Sequence, residues 1–241
     1  MAIMWFYVVI FITNIIQGIT GFAGTILAMP ISIALVGYAH ARPILNGLGL
    51  LAGIYIWIRN KSSVQWLVLR EVFIYVVIGL IIGLLFKQQL EMHETILLQG
   101  LGVLILWLSI KGFYRLRYPS TKKISSLQRL GYLLGSGIIH ALFISGGPLL
   151  VGYVSQKIPD KSAFRATLAV IWTLLNGFML VYDLISGVYT PEVWLLQWGS
   201  IPFWFIGMLV GSWLCRYMSQ SLFMKITYIL LAISGISIFL Q

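Results

Sequence analysis

Glycines and hydroxyl side chains interrupt two otherwise apolar stretches of this chain. The stretches are GITGFAGTILAMP (Gly18–Pro30) and HALFISGGPLLVGY (His140–Tyr153). Each contains a glycine break followed by a helix start, at Thr25 in the first stretch and at Pro148 in the second. A helix N-terminus has unpaired N–H groups with a partial positive charge, and glycine lets a ligand approach the backbone closely. The two breaks therefore predict the binding of a small oxyanion.

Polar side chains beside the breaks extend this prediction. Thr20, Thr25 and Ser145 can donate hydrogen bonds to substrate oxygens, although a hydroxyl can equally bond back to its own helix. His140 lies within an apolar segment and titrates near neutral pH. It is expected to donate to an anion or to take up a coupling proton, and a bond to a neighbouring carbonyl is the alternative.

Two asparagines follow basic loops at matching places in the two halves of the chain. Asn46 follows the loop with Arg42, and Asn176 follows the loop with Arg165. An amide at this depth either binds substrate or joins helices. An arginine fork suits an oxyanion, while an orientation signal or a lipid headgroup contact is the alternative for both loops. Trp172 is expected to line the cavity. The full set of expected substrate-binding residues is Thr20, Gly21, Gly24, Thr25, Asn46, His140, Ser145, Gly146, Gly147, Arg165, Trp172 and Asn176.

The amino-acid composition of the chain predicts that these residues lie in a membrane protein. Of 241 residues, 60% are hydrophobic and only 9% are charged, and the run Met1–Ala41 contains no charged residue. A soluble domain of this size covers its exterior with more polar groups. We therefore predict a multi-pass protein of the cell (inner) membrane. The opening segment is expected to belong to the mature fold rather than to a signal peptide.

Apolar segments bounded by charges or turn signals predict an all-α polytopic membrane protein. Residues 1–110 form a first membrane repeat, residues 111–129 a basic cytoplasmic linker, and residues 130–241 a second membrane repeat. Four glycines within regular segments, Gly100, Gly102, Gly207 and Gly211, are expected to let helices pack closely. The ten predicted segments are residues 2–16, 25–38, 43–58, 66–86, 95–110, 130–144, 147–157, 163–187, 193–214 and 222–240.

The distribution of basic residues decides how the short segments are counted. Each half begins with a pair of short segments, residues 2–16 with 25–38 and residues 130–144 with 147–157. If each pair forms a hairpin, whether re-entrant or fully spanning, the two repeats are inverted. Fourteen of the sixteen Lys and Arg residues then lie on the linker side, against two on the other side. If each pair is one broken span, the counts are nine and seven. Because cytoplasmic loops carry an excess of Lys and Arg, the hairpin arrangement is favoured. It predicts two inverted repeats with both termini outside.

Several classes of protein are excluded by what the sequence lacks. It has no HExxH or GxSxG motif, no histidine cluster and no Asp and Glu pair placed for acid–base work, so no enzyme activity, metal or other cofactor is expected. Cys215 is the single cysteine, which excludes an intramolecular disulfide. No carboxylate lies at a predicted midplane, which argues against cation transport. The net charge of +10 lies in short loops, where it sets orientation, so nucleic acid is not an expected partner.

The two glycine stretches, here GITGFAGTILAMP and GIIHALFISGGPLL, resemble the motifs of the TauE/SafE sulfite exporter family of small anion transporters. FRATLAVIW (Phe164–Trp172) is similar to the segment that follows the second motif. Ala23 and Thr25 depart from the family pattern, which often has glycine there. The resemblance covers nearly the whole chain and implies movement of sulfite, thiosulfate, an organosulfonate or a similar anion.

We therefore expect a secondary transporter whose substrate is a small anion. In transporters built from inverted repeats, discontinuous helices meet near the membrane midplane. The anion is accordingly expected to bind at the midplane between the two glycine breaks, with alternating access coupled to a proton gradient. An anion channel and a non-transporting membrane assembly subunit are the alternatives. The expected partners are the anionic substrate, the lipid bilayer and a second copy in a homodimer. The sequence leaves the transported anion and the direction of transport open.

Overall fold

The computed structural model describes residues 1–86, 94–118, 124–143 and 147–238. Within these ranges the chain forms α-helices and one short 3₁₀ turn, and no strand. The predicted all-α class is therefore confirmed. The helices are α1 (Ala2–Thr20), α2 (Ala23–Val36), α3 (Tyr38–Arg59), α4 (Trp66–Leu85), α5 (Glu94–Arg117), α6 (Ser126–Phe143), α7 (Gly147–Lys157), α8 (Lys161–Ile185), α9 (Pro191–Tyr217) and α10 (Gln220–Ile238).

Each predicted apolar segment overlaps one of these helices, but several helices extend past the apolar residues. Arg42 and Arg165 were expected in loops and instead lie in α3 and α8. Gly37, with a φ of 79°, ends α2 and lets α3 begin at the next residue, so no loop intervenes. Helix α5 continues to Arg117 and α6 begins at Ser126, which shortens the predicted linker. Lys and Arg have a high helix propensity, so a helix can continue beyond the last residue of an apolar segment.

Five of the described helices, α1, α3, α4, α8 and α9, are long and apolar enough to cross a membrane. Their outer surfaces carry large apolar side chains that water would not accommodate, such as Leu67, Leu85 and Trp198. Helix α2 has 14 residues and α7 has 11, so they span about 21 Å and 16 Å, less than a hydrocarbon core of about 30 Å.

Helices α1 and α2 form a hairpin, which we call hairpin 1. Gly21 ends α1 with a φ of 84°, a left-handed conformation that favours glycine, and its N–H donates to the carbonyl of Gln17. The chain then folds back. A Cβ at Gly24 would lie 2.5 Å from the carbonyl oxygen of Thr13, so only glycine fits where α2 begins to return along α1.

Helices α6 and α7 also fold back on each other, and we call this pair hairpin 2. Leu149, near the start of α7, approaches to 3.3 Å from the Cβ position of Gly135 in α6. Gly147 is the first residue of α7 and is buried. Two expected binding residues, Ser145 and Gly146, lie outside the described residues.

The helices assemble into two compact units. Unit 1 comprises Met1–Val64 and Arg165–Met218, and unit 2 comprises Gln65–Phe164 and Ser219–Gln241. Each unit thus combines segments from both halves of the chain. Unit 1 contains hairpin 1 with α3, α8 and α9, and unit 2 contains hairpin 2 with α4, α5 and α10.

The same glycine-mediated helix crossing is found in both units. In unit 1, Gly207 and Gly211 of α9 face the carbonyl oxygens of Phe11 and Ile15 in α1, with no room for a Cβ. In unit 2, glycines with the same spacing on α4 face carbonyls with the same spacing on α6. The four residues of that second crossing are Gly79, Gly83, Leu134 and Ile138. Small residues allow backbones to approach this closely in membranes. Each hairpin therefore packs through its first helix against the fourth helix of the other half.

Candidate functional site

Arg165 reaches the tip of hairpin 1. Its Nη2 donates to the carbonyl of Gly18, one of the last carbonyls of α1, which lack partners within the helix. Its side chain also packs on Gly21, with Cβ 3.7 Å from the position a Gly21 Cβ would take. Arg165 is only 7% exposed, and no carboxylate within the described residues pairs with it. Its Nε has no hydrogen-bond partner there either. The tip therefore holds a buried cation without a described counter-ion.

The helix start at the tip is largely capped by the hairpin itself. The Thr20 hydroxyl accepts from the N–H of Phe22 and of Ala23, at 3.4 and 3.2 Å, and donates to Ile16. The Gln17 side-chain oxygen accepts from the N–H of Gly24 at 2.8 Å. Three of the four N–H groups that open a helix are thereby satisfied, which leaves that of Thr25. Thr20 thus stabilises the break, and Thr25 is the hydroxyl left to meet a ligand.

Four residues of α8 lie on one face of the helix. Arg165, Trp172, Asn176 and Asp183 fall within about 20° of one line at 100° per residue. All four are buried. From Arg165 to Asp183 the line extends about 27 Å, close to the thickness of the hydrocarbon core. Helix α8 therefore presents polar groups along most of the membrane depth inside unit 1.

Asn176 meets the expected residues of α2 and α3 halfway along this line. Asn46 donates through Nδ2 to the backbone carbonyl of Asn176 at 3.2 Å. The Asn176 Nδ2 and the Thr25 Oγ1 lie 2.8 and 3.5 Å from the Cβ position of Gly49. The structure thus brings Thr25, Asn46 and Asn176 together, about 16 Å along α8 from Arg165. The expected site residues of unit 1 therefore separate into two clusters, one around Arg165 and one around Asn176.

Arg42 and Asp183 form a buried ion pair at the far end of the line. The Arg42 Nη1 donates to the Asp183 Oδ1 at 2.9 Å, with side-chain exposures of 15% and 0%. Arg42 therefore has a protein carboxylate as its partner, whereas Arg165 has none among the described residues. The two arginines occupy matching places in the sequence but different electrostatic surroundings.

Two of the expected site residues that the structure describes belong to unit 2. His140 is buried in α6, at 1% exposure, and Gly147 opens α7. Among the described residues, no group of three or more His, Cys, Asp or Glu side chains could hold a metal ion.

Comparison of the sequence with models of known protein families identifies the family of this chain. The family described as sulfite exporter TauE/SafE matches residues 6–238. The chain belongs to the sulfite exporter TauE/SafE family. Searches among curated proteins and among solved structures found no match. As a member of this family, the chain is a multi-pass membrane protein related to anion exporters, as the resemblance of the glycine stretches predicted.

Three residues that shape this TauE/SafE family member were not among the expected site residues. Gly49 lies beside Thr25 and Asn176, Gln17 caps α2, and Asp183 neutralises Arg42. Gln17 carried a usable signal, because an amide four residues before a helix-ending glycine can reach the next helix start. Gly49 and Asp183 carried none, since their significance depends on neighbours more than a hundred positions away.

Proposed function

We propose that this chain is a secondary transporter of a small oxyanion of the sulfite class, and that Arg165 is the charge that binds the anion. The observation that carries the proposal is the burial of the Arg165 guanidinium without a described carboxylate partner. Removing a cation from water without a counter-charge costs several kcal/mol. An anion that binds at the tip of hairpin 1 would offset this cost.

The guanidinium has the donors that such an anion requires. One nitrogen is committed to the Gly18 carbonyl, and Nε has no partner among the described residues. A planar fork of N–H donors matches the oxygens of a trigonal or tetrahedral oxyanion. Gly21 next to it has no side chain that would keep the anion away.

The repeated architecture supports alternating access as the mechanism. Both hairpins are pairs of helices that fold back on each other, and each packs through glycines against the fourth helix of the other half. Hairpins of this kind in inverted-repeat transporters carry substrate sites and move as parts of rigid bundles. We extend the proposal to inverted repeats and to proton coupling, with the buried His140 as the titrating group.

Transport by purified protein in proteoliposomes tests the proposal. Sulfite, thiosulfate, sulfate and methanesulfonate would be offered with and without a pH gradient. We expect saturable flux of sulfite or a closely related anion, and acceleration by the gradient. No flux of any of these anions, with protein that elutes as a folded species, would overturn the proposed function. Flux that fails to saturate would indicate a channel instead.

A further inference from the structure

Helix α5 of unit 2 presents aromatic and basic side chains on one exposed face of its C-terminal half. Trp107, Lys111 and Tyr114 fall within about 60° of one another at 100° per residue. The Trp107 and Tyr114 side chains are 48% and 63% exposed, and the Tyr118 ring packs on that of Tyr114 at 5.0 Å. Tryptophan and tyrosine are enriched where the hydrocarbon core of a membrane meets the headgroups. This face of α5 is therefore expected to lie at the level of the lipid headgroups.

Two cations lie side by side at this level. The Lys111 Nζ is 4.4 Å from the centre of the Trp107 ring, a cation–π contact. Arg115 follows Lys111 after four residues, and like charges at this spacing on a helix repel each other. No carboxylate within the part of the chain that the structure describes pairs with either side chain. An anion bound between the two would relieve the repulsion.

Arg115 also links this face of α5 to hairpin 2. Its Nη1 donates to the Oε1 of Gln156 near the end of α7, and Gln156 donates in turn to the carbonyl of Gly152. The partner of the guanidinium is thus a neutral amide. A guanidinium has five N–H donors, so this bond leaves donors for the oxygens of a phosphate.

The surroundings of Arg115 carry an excess of positive charge. Arg129 of α6 and Lys157 of α7 both pair with Glu71 of α4, at 2.9 and 3.9 Å. Lys157 directly follows Gln156 in the chain, so these ion pairs lie next to the Arg115 contact. Because Glu71 is already paired with two cations, its charge does not compensate those of α5. This end of unit 2 therefore attracts an anion.

We propose that Lys111 and Arg115 bind the headgroup phosphate of an anionic phospholipid. Val103, one turn before Trp107 on the same face, is 59% exposed, so apolar surface for an acyl chain continues directly from the two cations. A small free anion would contact only the cations, whereas a phospholipid matches both parts of the face. Basic sites between membrane helices bind such headgroups. The bound lipid stabilises the contact of α5 with hairpin 2.

Binding of phosphatidylglycerol to the purified protein in detergent, measured by native mass spectrometry, tests the proposal. Each basic residue near an anionic headgroup changes the affinity about fivefold, so Lys111→Gln with Arg115→Gln should bind about thirtyfold more weakly than the wild type. Lys111→Gln alone keeps the Arg115 bond to Gln156 and should bind about fivefold more weakly. The charge-retaining pair Lys111→Arg with Arg115→Lys should bind like the wild type.

Arg216→Gln with Lys225→Gln is the matched control, because it removes two exposed cations elsewhere in the chain. It should bind phosphatidylglycerol like the wild type. Phosphatidylcholine has a phosphate but no net charge, and the wild type should bind it more weakly. Equal binding of the two lipids by the wild type, or equal loss in the α5 double variant and the control, would overturn the proposal. Displacement of phosphatidylglycerol by an equal concentration of inorganic phosphate would show a free-phosphate site and would overturn it as well.

Discussion

Arg42 and Asp183 are joined by a 2.9 Å hydrogen bond between Nη1 and Oδ1, and the Asp183 side chain is completely buried. The pair ties the start of α3 to the end of α8. Nearby, burial and the Asp183 charge raise the pKa of Tyr189 to about 12. The Tyr189 hydroxyl therefore stays protonated at physiological pH and donates to the Pro43 carbonyl at 2.9 Å.

Asp183→Asn should destabilise the protein, because it leaves the Arg42 guanidinium largely buried without its counter-charge. Breaking a buried ion pair by removing one partner costs about 3–5 kcal/mol. We expect the lower end of that range, since Arg42 is 15% exposed. The measurement is the thermal unfolding midpoint of purified protein in detergent.

Glu192→Gln is the control for this prediction. Glu192 pairs with His40 at 3.2 Å in the same unit, but its side chain is 80% exposed. An exposed pair contributes little, so no measurable shift in the midpoint is expected. Equal midpoints for the two variants would show that the Arg42 pair does not stabilise the fold.

Gly211→Ala should separate α1 from α9, because the new Cβ would collide with the backbone carbonyl of Ile15. Overpacking of this kind costs about 1–3 kcal/mol. Gly79→Ala should cost a similar amount, since its Cβ would collide with the Leu134 carbonyl in the equivalent crossing of unit 2. Thermal unfolding in detergent measures both. Gly177→Ala is the control, because its Cβ would meet only Leu50, at an ordinary 3.8 Å. If either variant were as stable as Gly177→Ala, the close crossing would be wrong in that unit.

Thr20→Val should loosen the tip of hairpin 1, because valine has nearly the same side-chain volume as threonine but no hydroxyl. The hydroxyl accepts from the N–H groups of Phe22 and Ala23, and loss of such a cap costs about 1 kcal/mol. Amide hydrogen exchange at Phe22 and Ala23 should therefore accelerate. Thr20→Ser keeps the oxygen and should exchange like the wild type. Slow exchange in Thr20→Val would mean that the cap does not hold the tip.

Cysteine labelling should place the two ends of unit 1 on opposite sides of the membrane. In a Cys215→Ala background, we expect a cysteine at Lys61 to react from the cytoplasm and one at Ser186 to react from outside. Both positions are exposed, and α3 and α8 run antiparallel, with Asn46 beside Asn176 and Gly53 beside Ala169. Reaction of both cysteines from one side would contradict the predicted orientation.

The helices could be predicted from the sequence because their signals are local. Apolar length and the glycine breaks located the ten helices of the described residues, and Gly207 and Gly211 were correctly interpreted as packing residues. The same interpretation was wrong for Gly100, which is exposed and whose Cβ would meet no described atom within 4 Å. Helix ends were less accurate, since Arg42 and Lys111 continue a helix as readily as they end one. The orientation of the halves as inverted repeats stays a prediction.

The composition of the site was harder to predict, because it depends on contacts between distant residues. Arg42 and Arg165 occupy equivalent positions in the sequence, and only the tertiary structure shows that Asp183 neutralises Arg42. Thr20 was expected to meet substrate, but its hydroxyl is engaged by the helix start that it caps. Gly49 resembled any packing glycine until its position beside Asn176 was known.

We propose that Arg165 binds the transported anion, and the initial rate of sulfite uptake by Arg165→Gln in proteoliposomes tests this most directly. Arg216→Gln, an exposed arginine of the same unit, is the matched control. Removing one member of a buried charge pair typically costs 2–5 kcal/mol, so we expect a loss of about 100-fold in kcat/KM and partial recovery in Arg165→Lys. Folded Arg165→Gln protein that transports sulfite at the rate of Arg216→Gln would contradict the account.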